Sequence, residues 1–325
     1  MTLIIGLNLS DKLYLAADTR ATDQKGNHFD NVIKIAHLVT LRFHKIDKQN
    51  IDKIVNEGYI SVAVAGNIRL ASFIYKNIQE SIQSRSLSSD IRELYDSLDE
   101  PWSIEMANKW LDSGNKYEKT CCLMFAGTFS DRPKQVSIPR VNELMEIYEK
   151  NRKVSNVNLP ADQVNLDDII MIPSQFVDAT MNEGLISDLP DSLLFCIEIG
   201  IYRGKHHFKK VKAEWGEFIA RGSNGITENK LPPEILARCE FLFNRNDKNS
   251  AEILSGTIRE FAQKFNTIGN KIIINAISKD KTMLFKNQKD YMEKDGKTYF
   301  KNEAEEWVEA VTFLDYLSQN KSCDL

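Results

Sequence analysis

The sequence predicts an α+β protein in which antiparallel sheets pack together and paired helices cover them. Two apolar, β-favouring runs, 3–9 and 12–17, are separated only by Ser10 and Asp11, a spacing typical of a tight hairpin. Strand runs and pairs of helical patterns then alternate along the chain, which indicates layers of sheet and helix. The sequence contains no GxGxxG loop, Walker loop or internal repeat that would indicate a nucleotide enzyme or a solenoid.

The first hairpin brings polar residues to the start of the chain. If its turn centres on residues 10 and 11, positions whose numbers sum to about 21 face each other, so Leu3 lies opposite Asp18 and Thr2 opposite Thr19. After a polar loop, the run from Val32 to Ile35 predicts a third strand in which Lys34 stands among apolar neighbours. A threonine, an aspartate and a lysine are therefore expected to share one pocket.

The next elements are taken in chain order. Residues 39–58 separate the Lys34 strand from the apolar strand 59–65, and we expect a longer hairpin or an insertion there. Apolar residues recur at helical spacing from 70 to 82, and a second helix is predicted at 102–112. The apolar run 120–129 predicts a buried strand.

The second half of the chain combines an insertion, more strands and helices, and an extension. Residues 132–190 carry five of the eight prolines and are interpreted as an insertion with a helix at 140–152. The chain as a whole, 1–325, is predicted to be a single domain with a C-terminal extension at 286–325. The remaining predicted elements are strands at 193–199, 208–215, 218–225 and 271–277, helices at 231–244 and 250–265, an Asp-Gly hairpin at 291–300, and a last helix at 303–319 capped by Asn302 and Glu305.

Composition narrows the class of function. A hydrophobic content of 42% and a charged content of 27% are ordinary for a globular protein, and a net charge of −4 argues against nucleic acid or an anionic membrane as the main partner. The start of the chain lacks a signal-peptide pattern, so we expect a cytoplasmic protein. Five cysteines without CxxC spacing are expected to be reduced, and the histidine pattern predicts neither a metal site nor a cofactor.

Thr2 is the candidate nucleophile. Initiator methionine is normally removed before a small residue, which would leave Thr2 with a free α-amine. An α-amine titrates near neutral pH and can accept the hydroxyl proton, whereas an ordinary lysine is charged at that pH. Lys34, kept protonated by Asp18, would lower the pKa of the amine and orient the hydroxyl.

Four blocks of sequence, in order from residue 2, resemble the proteasome β-subunit family of N-terminal-nucleophile hydrolases. Asp18 and Lys34 follow Thr2 at the spacing that this family uses. The resemblance is clear over residues 2–75 and looser over 118–131 and 192–280. The matched blocks are Thr2, Ala16-Ala-Asp-Thr-Arg-Ala-Thr22, Asn31-Val-Ile-Lys-Ile35 and Ser61-Val-Ala-Val-Ala-Gly-Asn67.

The resemblance implies a fold and a set of roles. The implied fold is a four-layer αββα sandwich of two antiparallel sheets. It also implies that Arg20 supports Asp18, that the Gly66 amide is an oxyanion donor, and that Ser223 hydrogen-bonds the amine of the nucleophile. The positions that match the specificity pocket of the family are apolar and favour apolar substrate side chains: Ala21, Val32, Val64 and Ile68.

One departure from the family pattern lies before the last core strand. The family carries an aspartate and a serine where this chain has Asn266 and Gly269. Three functions therefore stay open: a threonine peptidase acting on peptides or unfolded proteins, a catalytically silent assembly subunit, and an amidase acting on a small amide. A homo-oligomer, as a ring or an open spiral, is expected in each proteasome-like case, and an ATPase partner that the sequence cannot name stays open.

Overall fold

The structure is a computed structural model of the 325-residue chain. Its secondary structure is mixed, with most strands paired antiparallel. The residues that it describes are 2–8, 12–22, 27–45, 51–84, 86–88, 90–114, 119–129, 169–171, 191–214, 217–222, 226–227, 250–264, 268–269, 271–278, 282–286, 291–295, 297–301 and 305–315.

The strands of the described residues are numbered here in chain order. They are β1 Leu3–Asn8, β2 Lys12–Asp18, β3 Ala21–Thr22, β4 His28–Phe29, β5 Val32–Ile33, β6 Ile35–Lys45, β7 Ile51–Gly66, β8 Thr120–Phe129, β9 Ile169–Met171, β10 Asp191–Tyr202, β11 Lys205–Ala213, β12 Phe218–Gly222, β13 Ile226–Thr227, β14 Ile272–Ser278, β15 Thr282–Lys286, β16 Tyr291–Lys294, β17 Lys297–Lys301, β18 Trp307–Glu309 and β19 Val311–Thr312.

These strands form two six-stranded sheets, ordered β13-β12-β1-β2-β14-β15 and β11-β10-β8-β7-β6-β9, and three smaller sheets. We call the first the N-terminal sheet, since it contains β1, and the second the hairpin sheet, since it contains the long antiparallel pair of β6 and β7.

The helices of the described residues pack against these two sheets. They are α1 Ile68–Gln83, α2 Ile91–Ser97, α3 Glu100–Asp112 and α4 Ser250–Lys264. Asn67 caps α1 by accepting a hydrogen bond from the amide of Leu70, and Asp99 caps α3 in the same way through Trp102. Helices α1 and α3 match the predicted ones, whereas the short helix α2 has no counterpart in the sequence analysis.

The first hairpin has the predicted register. Ile4 pairs with Ala17, so facing positions sum to 21, and the amide of Leu3 donates to Asp18 Oδ1 at 2.9 Å. On its other side β2 pairs with β14, where Ile272 lies opposite Asp18. Asp18 therefore sits at the end of a strand that has neighbours on both sides, and its backbone position is set by both ladders.

Both large sheets contribute to apolar clusters with helices, and hydrogen bonds join strands of one sheet to strands of the other. In the N-terminal sheet, Leu3 and Ile5 belong to an apolar cluster with Ile258 and Phe261 of α4. In the hairpin sheet, Phe125 and Phe195 belong to a second cluster with α1, α2 and α3. Between the sheets, the Asn8 side chain donates to the Ala213 carbonyl at 3.0 Å, and that of Asn275 donates to Ser61 Oγ. Successive side chains of a strand point to opposite faces of its sheet, so one strand can contact a helix with one set of side chains and another strand segment with the other set.

Most of the predicted strands are present. The segment 39–58 forms the long hairpin of β6 and β7, and the Asp-Gly hairpin is present as β16 and β17, with Asp295 at a φ of 52°. The predicted helices at 140–152 and 231–244 lie outside the described residues. So does most of the 132–190 segment, of which Ile169–Met171 is described as a strand paired with β6.

The predicted tail helix at 303–319 is wrong over its first part. Glu305 has a φ of 63°, Trp307–Glu309 is a strand paired with β17, and helical residues begin only at Phe313. Asn302, the proposed cap, lies outside the described residues. The apolar residues of this segment have helical spacing, but two tertiary strand pairings determine its conformation. Strand β18 completes a sheet with the Asp-Gly hairpin, and β19 pairs parallel to β5. The tail is therefore partly a core element.

No helix among the described residues is long and apolar enough to cross a membrane.

We expect Phe313→Ala to lower the free energy of unfolding by about 3 to 5 kcal/mol, since the ring is fully buried and packs edge-on against Tyr75 at 5.5 Å. Urea denaturation followed by circular dichroism measures the change. Val308→Ala is the control, because Val308 is 36% exposed and its truncation should change stability by less than about 0.5 kcal/mol. A Phe313→Ala protein as stable as the control would contradict the burial of the tail.

Candidate functional site

Three polar side chains meet where the first strands end. Thr2 precedes β1, Asp18 is the last residue of β2, and Lys34 lies between β5 and β6. All three are buried, with Thr2 at 4% exposure and the other two at zero. The hairpin register brings Asp18 to the start of the chain, and the hydrogen bond from the Val64 amide to the Lys34 carbonyl, at 3.0 Å, fixes the backbone of the lysine.

The Lys34 ammonium is the centre of this cluster. Its Nζ lies 3.0 Å from Thr2 Oγ1 and 3.0 Å from Asp18 Oδ1, and it also donates to the backbone carbonyl of Arg20. An ammonium has three hydrogens, so these three acceptors satisfy it. As an ammonium, Lys34 therefore donates to the Thr2 hydroxyl in this arrangement.

Burial and neighbouring charge act in opposite directions on Lys34. Loss of solvent is the largest effect and lowers the pKa of Lys34 below its usual range, while the charge and hydrogen bond of Asp18 raise it. More distant charges contribute as well, since Asp30 raises this pKa and Arg20 lowers it. The positive charge that points at Thr2 thus depends on the carboxylates around it.

Asp18 is held by main-chain groups from three parts of the chain. Its Oδ1 accepts from the amide of Leu3 at 2.9 Å, and its Oδ2 accepts from the amides of Arg20 at 3.1 Å and Gly269 at 3.0 Å. Hydrogen bonds to a carboxylate are stronger than neutral ones, which makes these three amides effective anchors. The carboxylate cannot rotate away from Lys34 without losing them.

Gly269, noted above as a departure from the family pattern, has a physical role here. Its amide binds Asp18, and a Cβ at this position would lie 2.9 Å from Arg20 Cβ and 3.0 Å from the Arg20 nitrogen. A serine would not fit without moving Arg20. Asn266, the second departure, lies outside the described residues.

Arg20 contributes its backbone to the site and its side chain to a separate ion pair. The guanidinium Nε lies 2.5 Å from Asp30 Oδ1, and a terminal nitrogen lies 2.6 Å from Asp30 Oδ2. Support for Asp18 comes from the Arg20 amide. Asp30 is not among the site residues that the sequence predicted, although its position two residues before Val32 was a signal that could have identified it.

The other predicted site residues are placed as follows. Gly66 ends β7 with a φ of 83°, a conformation that glycine adopts readily. Ser223 lies outside the described residues, but Gly222 before it pairs with Leu3, which puts that end of β12 beside the start of the chain. The proposed pocket positions Ala21, Val32, Val64 and Ile68 are all buried in the apolar cluster under α1. Their roles stay predictions.

The described residues contain no group of three or more histidine, cysteine, aspartate and glutamate side chains placed to hold a metal ion.

Comparison with known proteins gives a limited result. No protein-family profile matches the chain, and no curated protein matches it. Among solved structures the chain is similar to Anbu, the ancestral beta-subunit, from Yersinia bercovieri, with 12% identity, a TM-score of 0.48, and coverage of 88% of this chain and 87% of that one. It is also similar to a structure described as the helical assembly of the Anbu complex from Pseudomonas aeruginosa, with 12% identity, a TM-score of 0.49, and coverage of 88% and 86%.

A third similar structure is an Anbu mutant from Hyphomicrobium sp. strain MC1, with 13% identity, a TM-score of 0.45, and coverage of 99% of this chain and 95% of that one. These similar structures are Anbu proteins, which are proteasome-like but form a family distinct from the proteasome β subunits. The assignment to the proteasome β-subunit family drawn from the sequence is therefore wrong.

We expect Gly269→Ala to lower the free energy of unfolding by about 1 to 3 kcal/mol, because the added methyl group collides with the Cβ and nitrogen of Arg20. Thermal denaturation measures the change. Gly256→Ala is the matched control, since Gly256 lies within α4 with open space around it, and alanine there should add about 0.5 to 1 kcal/mol. Equal effects of the two substitutions would contradict the close packing of Gly269 on Arg20.

Proposed function

We propose that this protein is an N-terminal threonine hydrolase that cleaves peptide bonds. The observation that carries the proposal is the buried chain of hydrogen bonds from Asp18 through Lys34 to Thr2, with both links at 3.0 Å. A buried ammonium aimed at a hydroxyl lowers the cost of forming an alkoxide at that oxygen.

The mechanism requires removal of Met1. The freed α-amine of Thr2, directly or through a water molecule, takes the proton from Oγ1 as that oxygen attacks the substrate carbonyl. The C–N bond then breaks, the leaving amine takes the proton, and an ester between Thr2 and the acyl group remains. Water then attacks the ester carbonyl while the amine takes its proton, the bond between the acyl carbon and Oγ1 breaks, Oγ1 recovers the proton from the amine, and the acyl group leaves as a carboxylic acid.

Each neighbour of Thr2 has a role in this proposal. Lys34 orients the hydroxyl and stabilises its negative charge, while Asp18 holds Lys34 protonated and in place. The Gly66 amide is the proposed oxyanion donor and Ser223 the proposed partner of the α-amine. The apolar positions Ala21, Val32, Val64 and Ile68 favour an apolar side chain before the cleaved bond, because a charged one would be buried unpaired.

The finer description of the fold belongs to the same proposal. A four-layer αββα arrangement, as in N-terminal-nucleophile hydrolases, is supported by the packing of α4 on the N-terminal sheet and of α1 on the hairpin sheet. The Asn8 and Asn275 hydrogen bonds between the sheets support the same order of layers.

A catalytically silent assembly subunit is the second candidate. Two apolar side chains exposed on α3 support the assembly that this candidate requires: Ile104 at 42% and Leu111 at 45%, which are seven residues apart and so lie on one face of the helix. Apolar side chains exposed along one helix face are typical of contacts between subunits. Self-association is compatible with activity, so retention of Met1 is what would separate the two candidates.

We expect mass spectrometry of the purified protein to show that Met1 is absent, and a β-lactone to label Thr2. Thr2→Ala should keep the fold and lose at least about a thousandfold in peptide hydrolysis, because it removes the nucleophile. Hydrolysis of fluorogenic peptides with an apolar residue before the cleaved bond measures this loss.

Lys34→Arg is the matched control for charge, because it keeps the positive charge and changes only the shape of the group that carries it. A planar guanidinium cannot occupy the compact ammonium site, so we expect this variant to be nearly inactive. A retained Met1 would favour the silent subunit. Activity on simple amides without activity on peptides would favour an amidase. Full activity in Thr2→Ala would exclude the mechanism.

We expect the full-length protein to sediment as a homo-oligomer at micromolar concentration in analytical ultracentrifugation. Ile104→Asp combined with Leu111→Asp should shift it toward the monomer, because both side chains are exposed and a buried unpaired charge opposes association. Asp substitutions at Glu105 and Lys109, on a polar face of the same helix, serve as the control. A monomer boundary near 37.2 kDa with full peptidase activity would contradict the assembly.

A further inference from the structure

We propose that Asp30 is a positioning residue for the chemistry at Thr2: its carboxylate clamps the Arg20 side chain, and the Arg20 backbone in turn holds both Asp18 and Lys34. This inference rests on the proposed function, which assigns no role to Asp30. Asp30 itself touches none of the reacting atoms, so its effect passes through Arg20.

The clamp is a bidentate ion pair. Arg20 Nε lies 2.5 Å from one carboxylate oxygen of Asp30, and a terminal guanidinium nitrogen lies 2.6 Å from the other. The two side chains are 10% and 13% exposed, so water screens the pair little. Two parallel charge-assisted bonds fix the direction of the guanidinium as well as its distance.

The backbone of Arg20 joins the two charged members of the site. Its amide donates to Asp18 Oδ2 at 3.1 Å, and its carbonyl accepts from Lys34 Nζ. One peptide segment therefore sets the position of the acid and of the ammonium together. A side chain clamped at its far end restricts the motion of Arg20, and the preceding residue is held as well, since the Thr19 amide donates to the Lys271 carbonyl and the Thr19 carbonyl accepts from the Val32 amide, both at 3.1 Å.

Gly269 shows how closely this region is packed. A Cβ there would meet Arg20 Cβ at 2.9 Å and Asp30 Oδ1 at 3.4 Å, so the chain at 269 lies against both members of the clamp. Gly269 binds Asp18 through its amide and offers no side chain to Arg20. The carboxylate that binds Arg20 is that of Asp30, in the segment that leads into β5.

The segment that carries Asp30 is itself held by the C-terminal tail. The side chain of Asn31 donates to the Glu309 carbonyl at 2.8 Å, and the amide of Val311 donates to the Asn31 carbonyl at 2.9 Å. The parallel pair of β5 and β19 continues this contact. Asp30 is therefore presented to Arg20 by a backbone with tertiary support, as a positioning role requires.

Asp30 also acts on Lys34 through its charge, in addition to positioning Arg20. The charged groups that act on Lys34 among the described residues are Asp18, Asp30 and Arg20, and Asp30 raises the pKa of Lys34 while Arg20 lowers it. Removing the charge of Asp30 leaves the Arg20 charge uncompensated, which lowers the pKa of Lys34 further. Activity that needs a protonated Lys34 would then be lost at a lower pH.

Asp30→Asn in the full-length protein tests the inference. We expect kcat to fall about 10- to 100-fold with KM within about twofold, because the substitution displaces the acid and the ammonium and leaves the substrate pocket in place. The alkaline limb of the pH profile should move to lower pH by about half a unit. Asp30→Glu, which keeps the charge, should recover part of kcat.

Asp90→Asn is the matched control. Asp90 also holds an arginine through two bonds, to Arg92 at 3.2 and 2.9 Å, but it lies on the surface at the start of α2. We expect it to leave kcat and the pH profile unchanged. If Asp30→Asn loses no more activity than Asp90→Asn, or loses it only in proportion to unfolding, the inference is overturned.

A second readout separates this inference from the proposed function. Titration of Lys34 by NMR with isotope-labelled lysine, assigned by comparison with Lys34→Arg, requires no activity. A lower Lys34 pKa in Asp30→Asn supports the coupling of the clamp to the site, and an unchanged one overturns it. An inactive wild-type protein would overturn the proposed function and the catalytic meaning of Asp30, whereas an active wild type indifferent to Asp30→Asn overturns the inference alone.

Discussion

The burial of one ammonium group is the constraint on which this structure depends. Lys34 is completely desolvated, and a lone charge in such a place would be strongly unfavourable. Three acceptors satisfy it, and one of them, Asp18, supplies the compensating charge. Asp18 needs its own donors, and it finds them in amides at positions 3, 20 and 269. The charged pair therefore requires four parts of the chain, far apart in sequence, to be correctly placed at once.

The two sheets and their helices meet this requirement. The first hairpin and β14 set Asp18, and the hairpin sheet sets Lys34 through the Val64 amide. The tail adds a contribution from the far end of the chain, because β19 lies beside β5 immediately before Lys34. The described segments that carry Leu3, Asp18, Arg20 and Lys34 are each paired in a ladder or hydrogen-bonded to a charged group, which restricts their motion.

Part of this organisation was predictable because it depends on local periodicity. The hairpin register follows from two apolar runs and a two-residue turn, and it placed Asp18 beside the start of the chain correctly. The helices α1 and α3 follow from apolar spacing. The tail helix was wrong because its apolar spacing fits a helix, but strands β18 and β19 gain ladder partners that a helix would not have. The family assignment rested on four short motifs, and it is wrong because the similar solved structures are Anbu proteins.

The sequence by itself determined that Thr2 and Asp18 come together, because two strands and a tight turn leave little freedom in how those positions meet, and it indicated Lys34 as the third member of the cluster. Only the tertiary structure decided what surrounds them. The pairing of Arg20 with Asp30, the amide of Gly269 on Asp18, and the burial of Phe313 each join residues from elements that have no local reason to meet. Sequence periodicity describes which face of an element is apolar, whereas contacts between elements depend on how those faces pack, and packing is decided by the whole chain at once.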